Sequence, residues 1–268
     1  MILASINPFE HVLDTDHWHF FESIHLGFKL PFGLTKYIVL QLLAAGLICA
    51  IYIPLARKIK NGQPARGWFW NAFEVLLTYI RDEVAKPCIG HDADKYTPFL
   101  WTFFLYILFS NLLGMIPFFG SPTASLFVTG ALALVAFGLI HGAAIIKHGP
   151  WHYLVSYVPH IDAPFKSGIF IGLFIAAIEI FGHFIKAFVL AVRLFANIFA
   201  GHTVLAVILL LIVLAKDTAS FLFWPIGFGS AFAVVALSFL ELFVAFLQAF
   251  VFTFLSALFL GSTLHPEH

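Results

Sequence analysis

The chain has 268 residues, of which 61% are hydrophobic and 10% are charged, and its mean hydropathy is +0.97. Soluble domains are about 45–50% apolar and about 25% charged, so this composition indicates an integral membrane protein. The formal net charge is zero and no basic tail or stripe occurs, which argues against nucleic acid as a partner.

Residues 1–36 form a mixed polar and aromatic segment, which we place on the outer side of the membrane. Its four histidines, at positions 11, 17, 19 and 25, allow a metal site, but the aromatic stretch HWHFF is more typical of a membrane-interface segment. The segment lacks the pattern of a cleavable signal or an Arg-rich transit peptide, so we expect the first apolar helix to direct insertion. Cys49 and Cys88 lack CxxC spacing and are interpreted as ordinary thiols.

The first membrane span is predicted at 37–56, which is long enough to cross about 30 Å of hydrocarbon. A basic cluster follows it, so the positive-inside rule places this end inside and the N-terminus outside. Residues 67–86, GWFWNAFEVLLTYIRDEVAK, mix aromatic anchors with charges and predict an amphipathic helix on the inner surface. The basic cluster consists of Arg57, Lys58, Lys60 and Arg66.

Two further spans complete an N-terminal membrane region at 37–167. The second span is predicted at 99–118 and the third at 125–146, joined by the uncharged stretch GSPTA. An inner connection then runs to residue 167. Basic residues are much more numerous on the predicted inner side than on the outer side, which supports the orientation.

Residues 168–262 predict a long helical hairpin. At 1.5 Å per residue, the apolar runs 168–215 and 219–262 would each be roughly 70 Å long, more than twice the hydrocarbon thickness. Neither run contains a charged or turn-forming loop in its middle that would divide it into two spans, and the polar turn between the runs is KDTAS. The predicted fold is therefore an all-α polytopic membrane protein with a steeply tilted C-terminal hairpin and a short inner-side tail at 263–268.

The first hairpin helix carries a polar stripe within its apolar run. An ionisable residue inside a membrane costs about 2.5–3.5 kcal/mol on insertion scales, so a stripe of this kind indicates an ion or proton pathway. Steps of 4, 3, 7 and 4 keep its members on one helical face. The members are Glu179, His183, Lys186, Arg193 and Asn197.

Antiparallel geometry predicts which residues of the two hairpin helices face each other. A turn centred near residue 220 would place Arg193 opposite Gln248, and His202 opposite Glu241 in the outer half of the membrane. A His–Glu pair can exchange protons near physiological pH, whereas a guanidinium does not deprotonate. With Glu179 at the inner mouth, these residues predict two half-paths separated by a fixed positive charge. Asn197 and Gln248 would orient water and the guanidinium.

Each polar residue also has a structural interpretation. Arg193 could snorkel, His202 with Glu241 could form an interhelical hydrogen bond, and Gln248 could hold helices together. The same holds for His183 and Lys186, which lie near the inner surface. The remaining histidines need no functional explanation at helix ends and loops. They are His141, His148, His152, His160, His265 and His268.

The sequence disfavours two other functions. A haem protein would need histidines on facing helices at matched depth, and the second hairpin helix has none. An intramembrane hydrolase is disfavoured because HExxH and GxSxG are absent, and the chain contains no P-loop for nucleotide.

Three stretches carry a resemblance to a known family. IEIFGHFIKAFVLAVRLFANIFAGH (178–202), ELFVAFLQAFVFTFLSALFL (241–260) and NLLGMIPF (111–118) resemble subunit a of the F-type ATP synthase. The resemblance implies a non-catalytic subunit without cofactor, whose hairpin faces a rotating ring of c subunits and contacts peripheral stalk subunits. The lack of a transit peptide favours a bacterial plasma membrane, with the mitochondrial inner membrane as the alternative.

The same resemblance assigns roles to residues. Arg193 matches the family's essential arginine, which separates the two proton half-paths and faces the ring carboxylates. Ala187 departs from the family, where many members have proline, so neighbouring Lys186 is a less secure match. The proton-path positions of the family match Glu179, Asn197, His202, Glu241 and Gln248.

Overall fold

The computed structural model describes residues 35–59, 67–116, 121–151, 153, 165–215 and 220–265. Within these ranges the regular elements are helices, and no strand occurs. Five helices in the described part are long and apolar enough to cross a membrane. The predicted all-α polytopic class is therefore confirmed. The N-terminal segment 1–34, with its four histidines, lies outside the described residues, as does the end of the tail.

The first helix, α1, is Lys36–Ile59 and contains Pro54. Its 24 residues are about 36 Å long at 1.5 Å per residue, which is sufficient to cross the hydrocarbon. Arg57 and Lys58 lie in its last turn, where cations also compensate the helix dipole. The helix extends only slightly beyond the predicted span at each end.

The predicted amphipathic segment is helical but not a single regular helix. Helix α2 is Trp68–Tyr79, a π-helix follows at Ile80–Ala85, and the short α3 is Lys86–Ile89. No residue of α2 is buried, whereas Ile80 and Val84 are fully buried. Gly90 ends this segment with φ of 74°, a left-handed conformation that favours glycine.

Helix α4 is Ala93–Gly114 and helix α5 is Leu126–His148. Helix α4 begins earlier than the predicted second span, whose expected start at residue 99 stays a prediction. The helix begins at Ala93 because its polar first turn, which carries Asp94, extends beyond the apolar segment that the prediction followed. Helix α5 agrees with the predicted third span to within two residues.

The hairpin helices are unbroken. Helix α6 is Phe165–Ala215, with 51 residues, and helix α7 is Ser220–Leu264, with 45 residues. At 1.5 Å per residue they are about 77 Å and about 68 Å long. Both exceed the thickness of a bilayer core, as the sequence predicts.

The chain divides into two compact units. The first comprises residues up to Asn61, Phe104–Thr129 and Leu194–Phe250; the second comprises Gly62–Phe103, Gly130–Arg193 and residues from Val251 onward. Each long hairpin helix contributes one part to each unit. Helix α6 passes from one unit to the other immediately after Arg193, and α7 does so after Phe250.

Each unit has its own buried apolar core. In the first unit the fully buried Phe104 packs edge-to-face on the exposed Phe246, with ring centroids 5.7 Å apart. In the second unit Phe103 lies against Phe252 at 5.5 Å. Gly261 also lies directly against the backbone of Cys88, where an added Cβ would overlap the carbonyl oxygen. Small residues permit this close helix packing, which is a common feature of membrane proteins.

Candidate functional site

The site begins with an acid–base pair in the first unit. His202 on α6 and Glu241 on α7 lie 3.6 Å apart, measured from Nδ1 to Oε1. Their side chains are 16% and 8% exposed, so both are largely withdrawn from solvent. The antiparallel register inferred from the sequence predicts that His202 and Glu241 lie opposite each other. The buried ammonium-bearing Lys36 of α1 also lies within electrostatic reach of His202.

Gly201 makes room for the carboxylate. A Cβ added at this position would lie 3.0 Å from Oε1 of Glu241 and 3.4 Å from its Cδ. A larger residue would therefore push the carboxylate away from its present position. The only feature of the sequence that points to Gly201 is its position directly before His202.

A cavity reaches this carboxylate. Its volume is about 210 Å³, which is room for several water molecules. Asn197 and Glu241 supply polar side chains to its wall, and the rest of the lining is apolar apart from the backbone at Gly201. A buried carboxylate that borders a cavity of this size can exchange a proton with water, which an enclosed carboxylate cannot.

A buried hydrogen-bond network supports α7 near this pair. Asn111 of α4 donates from Nδ2 to the carbonyl oxygen of Ala245, 3.2 Å away, one turn after Glu241. Thr123 donates to Oδ1 of Asn111 at 2.7 Å, and Ser121 lies 2.6 Å from the Thr123 hydroxyl. Asn111 is only 1% exposed. The network fixes α4 against α7, and sequence analysis did not predict it.

Gln248 is also largely buried, with 9% exposure, and belongs to the same unit as Glu241. Two α7 turns separate these residues, so they occupy one face of the helix. Arg193, by contrast, is exposed on α6. Because Arg193 and Gln248 belong to different units, their predicted pairing stays a prediction.

The predicted inner-side residues belong to the second unit. Glu179 and His183 are partly exposed and lie one helical turn apart on α6, and Lys186 is exposed one turn further. The ammonium of Lys186 lies 5.2 Å from the ring centre of Phe259, within the range of a cation–π contact. Lys186 therefore has a packing partner as well as a possible path role.

His141 belongs to a polar cluster that the sequence did not predict. Its ring centroid lies 5.3 Å from that of His183, and its Nδ1 is 2.5 Å from the hydroxyl of Tyr153. These two histidines lie on α5 and α6, far apart in sequence, so their spacing gave no signal.

Within the described residues, no group of three or more His, Cys, Asp or Glu side chains is arranged to hold a metal ion. Cys49 and Cys88 are free thiols.

The chain is similar to a widespread family of membrane subunits. Residues 38–261 match the family described as ATP synthase A chain. ATP synthase subunit a 2 of Prosthecochloris aestuarii is 35% identical over 269 residues, which cover 96% of this chain and 79% of the relative. ATP synthase subunit a of Anaeromyxobacter dehalogenans is 41% identical over 91% of this chain and 61% of the relative. That of Myxococcus xanthus is 39% identical over 89% and 75%.

Proposed function

Because the chain belongs to the ATP synthase A chain family, we propose that it is the stator subunit that conducts protons to and from a rotating c-subunit ring. The bacterial relatives and the five apolar helices support a multi-pass protein of a bacterial membrane. They give no support to the mitochondrial alternative. In the proposed topology the N-terminus is outside.

The observation that carries the proposal is the His202–Glu241 pair beside a cavity of about 210 Å³. In the outer half-path, water in the cavity delivers a proton to this pair. The pair then passes the proton toward Arg193 and the ring. Asn197, in the cavity wall, orients the water. The role expected of Gln248 toward Arg193 stays a prediction.

Arg193 separates the outer and inner half-paths in this mechanism. Its guanidinium stays charged throughout, so it cannot relay a proton itself. It attracts a ring carboxylate that approaches it, favours loss of that carboxylate's proton, and repels protons that would pass directly between the two sides. Its exposure on α6 supports contact with another subunit.

The inner half-path would begin at Glu179, which receives the proton released by the ring after nearly a full rotation. His183 and Lys186 lie on the same helix and belong to the same unit. All the proposed outer-side residues belong to the other unit, so each half-path has its own packed support.

The proposed ring surface is apolar. Phe181, Phe184 and Phe188 of α6 are more than half exposed, as are Phe239 and Phe243 of α7. These rings would face the c subunits or lipid. Peripheral stalk subunits complete the stator in the proposed assembly. The driving force is the proton-motive force, about 2.3 kcal/mol per charge per 100 mV, and ATP chemistry takes place on other chains.

The substitution Arg193→Ala tests this function in membrane vesicles that contain the assembled complex. We expect ATP-driven proton pumping to be lost and passive proton leak to rise, with normal amounts of assembled complex. Arg57→Ala, at the inner end of α1, provides a matched control that should pump normally. Normal pumping by Arg193→Ala would overturn the proposed mechanism.

A further inference from the structure

A second polar cluster lies in the second unit, away from the His202–Glu241 pair. It comprises His141 on α5, His183 on α6, and Tyr153 beyond the end of α5. The imidazole centroids are 5.3 Å apart, and Nδ1 of His141 meets the Tyr153 hydroxyl at 2.5 Å. His141 and His183 lie in helices that are apolar enough to cross a membrane, where titratable side chains are costly and commonly functional.

A small cavity adjoins the two histidines. Its volume is about 20 Å³, and a single water needs roughly 10–15 Å³. Lys186 and Thr263 add polar side chains to the wall, while alanines, leucine and phenylalanine make up most of the rest. A water held here has several hydrogen-bonding partners, as buried waters generally require. The cavity therefore fits one bridging water.

We propose that His141 and Tyr153 extend the inner half-path, so that protons travel between Glu179 and the inner surface through His183, the bridging water, His141 and Tyr153. This inference rests on the proposed function and adds two residues to it. Tyr153 follows the end of α5 by five residues and is 8% exposed, so it provides the narrow outlet of the proposed relay.

The transfer balances at each step. An imidazole that gains a proton on one ring nitrogen releases another from its second nitrogen, so each histidine ends neutral with its tautomer exchanged. Ring rotation restores the first tautomer. Tyr153 accepts a proton on its oxygen as its own hydroxyl proton leaves to surface water. Only N–H and O–H bonds form and break, and no further reactant is needed.

The charged groups around the relay suit proton release. Glu179 and Lys186 both lie within electrostatic reach of His183, one helical turn to either side on α6. The carboxylate stabilises a transient imidazolium, and the ammonium opposes its accumulation. From α7, Phe259 and Thr263 reach the cavity, and neither side chain carries charge. His141 itself faces His183, Tyr153 and the ring of Phe137.

The decisive variant is His141→Gln, which preserves hydrogen bonding to Tyr153 but cannot relay a proton. Passive proton conduction is measured in vesicles of the assembled membrane sector across a range of pH. We expect conduction to fall at least about tenfold, consistent with the contribution of a positioned acid–base group. Tyr153→Phe should cause a smaller fall. His91→Gln, a change at an exposed histidine of the same unit, is the matched control.

A rescue experiment separates the relay from a structural role. In His141→Gly vesicles, added imidazole should restore conduction, whereas it should have no effect on Arg193→Ala vesicles. Normal conduction by His141→Gln, or no rescue of a well-assembled His141→Gly complex, would overturn the relay.

Glu241→Gln in parallel distinguishes the two proposals. If it abolishes conduction while His141→Gln does not, only the relay fails; if both conduct normally, the proposed function fails too.

Discussion

His202 and Glu241 lie 3.6 Å apart on the two long helices, although 39 positions separate them in the sequence. Both side chains are largely buried, and a cavity of about 210 Å³ borders the carboxylate. A buried carboxyl group beside an imidazole can pass a proton to it and recover the proton without leaving an isolated charge. The packing of the two long helices therefore brings together the acid and the base that the proposed proton transfer requires.

Exchange of the pair tests whether the two residues share a proton. The double variant His202→Glu with Glu241→His keeps one acid and one base at the two neighbouring positions, so we expect it to pump more protons than either single variant. Each single variant leaves two like groups in one buried place, which disfavours the charged forms. ATP-driven pumping in vesicles, corrected for the amount of complex, is the measurement. A double variant no better than the poorer single one would contradict proton sharing.

Replacement of Asn111 tests the network that holds α4 against α7. Asn111→Leu removes the hydrogen bonds to Thr123 and to the Ala245 carbonyl, and leaves both groups buried. We expect the free energy of unfolding to fall by about 0.5–2 kcal/mol, the range for polar contacts between membrane helices. Thermal stability of the purified subunit or complex in detergent measures the effect.

The exposed Asn71 of α2 offers the matching control for this experiment. Asn71→Leu makes the same chemical change without removing a buried hydrogen bond. Its stability should stay near that of the unmodified protein. Equal stability of both variants would mean that the Asn111 network adds nothing to the packing.

The hairpin and its acid–base pair were predictable because one short turn controls both. The predicted apolar runs agree closely with the helices. Helix α6 begins at Phe165, three residues before the predicted start, and helix α7 ends at Leu264, two residues after the predicted end. With the turn located, antiparallel pairing of His202 and Glu241 follows from counting residues. Tilt in the membrane and the orientation of the N-terminus stay predictions, as do the roles of the path residues.

Contacts between helices distant in sequence were not predictable. Asn111 meets Ala245, and His141 meets His183, only because separate helices pack in a particular rotation. Apolar residues occur on every side of α4 and α5 through most of their length, so periodicity does not show which residues of these helices face a neighbouring helix. The sequence did not predict the early start of α4, because hydropathy indicates the apolar segment that crosses the membrane and not the residue at which the helix begins.

Gly261 provides a test of helix packing in the second unit. Gly261→Ala places a methyl group on the carbonyl oxygen of Cys88, and a backbone atom cannot move aside as a flexible side chain can. We expect a loss of about 1–3 kcal/mol, which is typical of overpacking, and less subunit in the membrane. Gly138→Ala on α5, where no atom lies within 4 Å of the added Cβ, should be tolerated. Equal yields of the two variants would contradict this packing.

Gly201 gives the sharpest link between packing and proton transfer. The variant Gly201→Ala places its Cβ 3.0 Å from Oε1 of Glu241, so the carboxylate must shift by a few tenths of an ångström. Gly201→Val requires a larger shift. Because misplacement of a reacting group by about 1 Å can cost roughly a hundredfold in rate, we expect proton conduction to fall several-fold with alanine and further with valine.

Gly182 on the same helix is the matched control for Gly201, since an added Cβ there meets no atom within 4 Å. Gly182→Ala should conduct protons normally, which would show that the effect does not come from a stiffer α6. The amount of assembled complex should be unchanged in all three variants, because the shift concerns one carboxylate and not the core. If Gly201→Val assembled and conducted normally, the position of the Glu241 carboxylate would not limit proton transfer, and the outer half-path would need another route to Arg193.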